Sequence, residues 1–155
     1  MERITYQDIP GDIFKNLMQI ENLINQSSIG IHLLELIRLR VGQLNGCAYC
    51  VDMHHKELKH LGETDLRLSS LVVWKETPYF TEKERAVLDF TEVLTRLDAD
   101  SIPDRIFDPL LAFFSKAEIS YLTLAIAQIN TWTRLMKSFR FTPGNYQVNS
   151  HSGAA

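Results

Sequence analysis

Apolar residues recur three and four positions apart through nearly every segment of this chain, and alternating strand patterns are absent, so the sequence predicts an all-α fold. Glycine and proline are few and fall between those segments rather than inside them. A first amphipathic helix is expected over about residues 12–25, with Phe14, Leu17, Ile20, Leu23 and Ile24 on one face. A second spans about residues 28–44 and is broken by Asn45-Gly46; a third spans about residues 47–61 and is ended by Gly62. Asp65 opens a short helix reaching about Trp74. Thr81 with Glu84, and Ser115 with Glu118, have capping-box spacing ahead of apolar series. Pro103 suits the first turn of a short helix through Phe113. The most apolar stretch, Ile119 to Ile129, is expected to form a buried C-terminal helix, running to about Phe139, around which the others pack.

From Thr142 onward the chain turns polar and rich in glycine, serine and asparagine, which predicts an extended or disordered tail. The expected organisation is one helical domain over residues 1–141 and a polar tail over 142–155, without internal repeats. At 155 residues and 45% hydrophobic content, the chain can bury one real core. A net charge of -3 supplies no basic field for a phosphate backbone, so nucleic acid is not an expected partner. The longest apolar stretch falls far short of the roughly 20 residues that cross a bilayer. The first residues carry acids and a proline where an export signal would carry its apolar core, so a cytoplasmic location, with no membrane partner, is expected.

Only two cysteines occur, in Cys47-Ala48-Tyr49-Cys50, and a pair this close in a reducing compartment reads as reactive or metal-binding rather than as a staple. Cys47, Cys50 and His54 stand at i, i+3 and i+7, which on a helix places two thiols and a base on one stripe. Near the first turn of a helix, free N–H groups and the positive dipole end favour thiolate over thiol. Side chains three apart on a helix have Cβ atoms about 5–6 Å apart, against the roughly 3.5–4.5 Å a disulfide prefers, so closing a bond requires local adjustment. Two other readings compete. The three residues could be zinc ligands, although no further cysteine or paired motif completes a tetrahedral set, and the cysteines could be plain core residues. His55 points about 100° away and is assigned to the surface.

Glu35 places a carboxylate between Ile31 and Leu39 in an apolar stripe of the second helix. It needs a partner. One reading pairs it along its own helix with Arg38 at i+3 or His32 at i-3; the other turns it toward the third helix, where it hydrogen-bonds His54 and holds it as a base.

The segment from Glu35 to His54, with a glutamate, eleven intervening residues and then C-x-x-C-x-x-x-H, resembles the AhpD-like alkyl hydroperoxidase branch of the carboxymuconolactone decarboxylase family. The resemblance extends through Trp74, FTEKERAVLDFTEVLT and AIAQINTWTRL, from about residue 15 to 140. It implies an AhpD-like helical domain, assembled as a trimer, hexamer or dimer, that reduces a hydroperoxide substrate through a dithiol cycle. It further implies Cys50 as the peroxidatic cysteine, Cys47 as the resolving one, and Glu35 with His54 as the proton relay. Neither metal nor flavin nor any other cofactor is implied. The reductant would be an external dithiol, on a lipoyl-bearing or thioredoxin-like protein. Tyr49 stands where the best-studied relatives carry a further relay histidine, and the decarboxylase branch generally lacks the cysteine pair. A redox sensor or adaptor with little turnover, and a non-redox lactone-processing relative, are the alternatives. Asn130, Trp132 and Arg134 match a late I-N-x-W-x-R pattern and are read as core or interface residues.

Overall fold

The computed structural model describes residues 1–98 and 102–148, and these residues are helical, with no strand among them. The longer helices are α1 (Gly11–Asn25), α2 (Ile31–Leu44), α3 (Ala48–His60), α5 (Glu82–Arg96) and α7 (Lys116–Phe139); α4 (Asp65–Ser70) and α6 (Asp104–Phe107) are short. Both capping boxes close as their spacing predicts: the Thr81 and Ser115 side chains accept the backbone N–H of Glu84 and Glu118, and each glutamate reaches back to its cap.

Three boundaries differ from expectation for local reasons. α2 starts at Ile31 because Gly30 holds φ +87°, a left-handed value that cannot sit inside a right-handed helix. α4 stops at Ser70 and passes into a 3-10 segment, Leu71–Glu76, kinked at Val73; there the buried Trp74 donates its indole N–H to Glu92 at 2.8 Å. Pro103 is the N-cap of α6 rather than its first turn, and a 3-10 segment, Asp108–Ala112, follows.

α7 packs against α1, α2, α3 and α5, burying Ile119, Leu122, Ala125, Ile126, Ile129 and Met136. The helix buried on every side is α2, from Leu33 to Gly42. That burial takes Glu35, Arg38 and Arg40 out of water, which is tolerable only because each is paired. Arg40 grips Glu92 through Nε at 2.9 Å and Nη2 at 2.5 Å. On α1 only Ile24 of the expected face is fully buried, while Phe14 and Leu23 stay exposed. Among the described residues, no helix is long and apolar enough to cross a membrane.

The predicted tail is described as far as residue 148; residues 149–155 lie outside the described residues. Residues 142–148 are neither helix nor strand, yet they lie against α3 rather than running free: Lys56 Nζ donates to the carbonyls of Gly144 and Tyr146 at 3.1 and 3.0 Å.

Candidate active site

The turn between α2 and α3 delivers the cysteines. Asn45 ends α2, Gly46 takes φ +60°, and the chain reverses so that the N–H of Cys47 donates to the Gly42 carbonyl at 2.9 Å. α7 fixes the corner: Asn45 Nδ2 donates to Asn130 Oδ1 at 2.8 Å and to Thr133 Oγ1 at 2.9 Å, and Lys137 Nζ caps the Asn45 carbonyl at 2.6 Å. Gly42 is the crossing point of the two helices, where a Cβ would lie 3.3 Å from the Cβ of Cys50.

Cys47 is not on the helical stripe. It is the N-cap of α3, in extended conformation (φ -93°, ψ 97°), and its Sγ accepts the backbone N–H of Cys50 at 3.3 Å. The extended cap is the local adjustment that spacing alone required. It brings the Cα atoms to 5.3 Å, and Cys47 and Cys50 are joined as a disulfide. Cys50 occupies the first turn of α3, where the helix dipole favours a negative sulfur once the bond is reduced. Both cysteines are buried, against Met136 and Phe141.

Glu35 makes the contacts of both readings of its sequence position at once, one along its own helix and one to His54. Its Oε1 accepts from Arg38 Nη1 at 2.6 Å, and its Oε2 lies 2.7 Å from His54 Nδ1. Burial pushes the Glu35 carboxyl up, but His54 and then Arg38 outweigh it and hold it below the usual carboxylate range. The other candidate partner, His32, pairs with Glu63 instead, at 3.2 Å. Arg38 in turn reaches α1, contacting Glu21 and donating to Asn25 Oδ1 at 2.6 Å. Trp132 of α7 donates its indole N–H to Glu21 at 3.1 Å. Of the three residues weighed as zinc ligands, His54 pairs with Glu35 and the two sulfurs are joined to each other; among the described residues no group of three or more His, Cys, Asp or Glu side chains is arranged to hold a metal ion. His55 is exposed, as expected.

These groups open onto a cavity of about 960 Å³. Cys50, His54, Glu35 and Tyr49 line it; Cys47 does not. Phe14, Met18, Met53, Ile129, Trp132 and Met136 supply an apolar side, large enough for a ligand of drug-like size. Tyr49 meets Tyr6 hydroxyl to hydroxyl at 2.9 Å, and burial, then that contact, push the Tyr6 phenol above its ordinary range. Sequence reasoning missed Glu21, a carboxylate with Leu17 at i-4 and Ile24 at i+3 but the polar Asn25 at i+4, a weaker form of the signal that singled out Glu35. It also left Trp132 outside the site, whereas the indole lines the cavity. Asn130 and Arg134 do not line it; Arg134 is exposed and donates to the Asn130 carbonyl at 2.8 Å.

Fold and site together define an AhpD-like helical protein with a C-x-x-C disulfide beside a buried glutamate–histidine pair. The chain belongs to the carboxymuconolactone decarboxylase family, whose sequence profile matches residues 12–93. An uncharacterized protein of Bacillus subtilis, YdfG, is 34% identical over 134 residues, covering 86% of this chain and 91% of its own. A solved structure from Agrobacterium tumefaciens, a protein of unknown function with a suggested antioxidant-defence role as AhpD, superposes with a TM-score of 0.89. The two are 38% identical, over 94% of this chain and all of the other. An uncharacterized peroxidase-related protein from Silicibacter sp. TM1040 shares the fold, with a TM-score of 0.78 at 20% identity over 89% of this chain and 73% of the other.

Proposed function

We propose that the protein is a thiol-dependent peroxidase in which Cys50 attacks a hydroperoxide, Cys47 resolves the product, and Glu35 with His54 moves the proton. The observation that carries this reading is the 2.7 Å contact between His54 Nδ1 and Glu35 Oε2 on the wall of the cavity that Cys50 lines. An ionised Glu35 keeps the proton of a neutral imidazole on Nδ1, so Nε2 carries the free lone pair. His54 then takes the Cys50 thiol proton, directly or through water. The thiolate attacks the terminal, hydrogen-bearing peroxide oxygen; the O–O bond breaks, the sulfur becomes a sulfenic acid, and the leaving alkoxide takes the proton back from His54 as an alcohol. Cys47 condenses with the sulfenic acid, releasing water and forming the Cys47–Cys50 bond. An external dithiol, oxidised to its own disulfide, restores both thiols.

The lining of the cavity supports the division of labour, because Cys50 is among the residues that line it and Cys47 is not. A redox sensor would need the oxidisable pair alone; the buried relay favours turnover. The activity is tested by following reduction of hydrogen peroxide and cumene hydroperoxide with dithiothreitol or dihydrolipoamide as donor. Donor-dependent loss of peroxide, with alcohol formed from cumene hydroperoxide, that vanishes in Cys50→Ser is expected. Thiol oxidation without repeated turnover would move the sensor reading ahead.

A further inference from the structure

Residues 141–147 build one side of the cavity: Phe141, Thr142, Asn145, Tyr146 and Gln147 all line it. α3 holds this segment through a specific set of bonds. Lys56 Nζ donates to Asp52 Oδ2 at 3.0 Å and to the carbonyls of Gly144 and Tyr146, while the N–H of Gly144 donates to Asp52 Oδ2 at 3.0 Å. An exposed lysine–aspartate pair four apart on a helix contributes little by itself. Here the three donors of the ammonium all go to one carboxylate and two carbonyls of a single turn, so the pair recognises a backbone conformation rather than only its own opposite charge. That turn depends on Gly144 at φ +101°, where an L side chain is strained. Burial raises the Asp52 carboxyl, yet the Lys56 and Gly144 contacts outweigh it and hold it below its ordinary range.

The latch has a consequence at the cavity. It turns the Tyr146 phenol inward, where the hydroxyl donates to Glu57 of α3. Burial, then the Glu57 contact, keep that phenol protonated and able to donate. Asp52 and Lys56 share α3 with Cys50 and His54, so one rigid element carries both the reactive groups and the attachment of the wall that faces them. The near end of the wall is fastened separately, by the Thr142 N–H donating to Glu2 at 3.0 Å and by Phe141 packed on Tyr6 and Tyr49.

We propose that Asp52 and Lys56 are positioning residues that hold residues 141–147 against α3 and so limit the size of molecule reaching Cys50, with Tyr146 as the specificity-determining side chain. The proposal rests on the same site as the peroxidase reading, but it concerns access and can be tested without peroxide. The test compares alkylation of the fully reduced, full-length protein by iodoacetamide and by the bulky N-(1-pyrenyl)maleimide, with modified cysteines located by peptide mass spectrometry. Wild type, Lys56→Met and Tyr146→Ala are compared. The bulky reagent should label Cys50 about tenfold faster in both variants, as an open state that was a minor population becomes the major one, while iodoacetamide labelling changes far less. Cys47 should stay protected, which separates an opened wall from general unfolding. Equal acceleration of both reagents, no acceleration, or labelling of Cys47 alongside Cys50 would overturn the proposal. Should Lys56→Met fail to fold, Tyr146→Ala carries the same test. Size-dependent labelling in a protein without peroxidase turnover keeps this inference and discards the peroxidase reading; turnover without size dependence does the reverse.

Discussion

One carboxylate, Glu35, is shared between Arg38 on its own helix and His54 on the next, with its two oxygens 2.6 and 2.7 Å from their nitrogens. If Glu35 acts by orienting His54, Glu35→Gln and His54→Ala should each slow peroxide reduction by about 10²–10⁴-fold, the usual range for a positioned base. The double variant should be little worse than His54→Ala, since orienting an absent ring has no value. Steady-state kcat/KM for the three variants measures this. Losses that simply multiply would show two independent roles.

The depressed Glu35 carboxyl sets a pH dependence of stability. A carboxylate whose folded pKa lies below its unfolded value of about 4.5 contributes stability that is fully present above that value and lost as pH falls through the folded one. The stability advantage of wild type over Glu35→Gln should therefore be largest near neutrality and shrink below pH ~4.5. Urea unfolding of both proteins at several pH values checks the sign. An advantage that grows on acidification would contradict the ionised pairing.

Arg38 is 3% exposed and is the cation between Glu21 and Glu35. Arg38→Met leaves two carboxylates facing each other without it. The loss should be about 3–5 kcal/mol, as for other buried pairs broken from one side. Chemical denaturation reads it directly, and a loss below about 1 kcal/mol, the scale of a surface pair, would mean that water already screens the network.

On α1, Ile13 is 47% and Leu23 49% exposed, so the helix offers apolar surface that this chain does not cover. We propose that a second copy covers it. Light scattering at micromolar concentration should find an oligomer, and Ile13→Asp with Leu23→Lys should dissociate it while circular dichroism stays unchanged. A monomeric wild type would contradict the assignment.

Much of the fold was legible because its signals are local. The capping boxes at Thr81 and Ser115 and the Asn45-Gly46 break each involve residues within a turn of one another. The C-x-x-C-x-x-x-H spacing located the thiols and His54, but it could not show that Cys47 leaves the helix, because an N-cap and a first helical residue differ by one backbone torsion pair. The stretch 142–148 was illegible for a different reason: its polar composition resembles disorder, and what holds it is a pair of side chains on α3, Asp52 and Lys56, about ninety positions earlier. Glu21 escaped because the residue one turn after it is the polar Asn25, so it does not interrupt an apolar stripe as Glu35 does between Ile31 and Leu39, and its partner Arg38 is on another helix.

The most direct measurement of the central claim is a single turnover. Fully reduced protein is mixed with one equivalent of cumene hydroperoxide, and thiols, alcohol product and the peptide-mapped disulfide are counted together. The dithiol cycle predicts that each peroxide consumed gives one alcohol, removes both thiols and leaves Cys47 bonded to Cys50 in the same chain. Peroxide that persists while both thiols remain, or thiols lost only to crosslinks between chains, would contradict it.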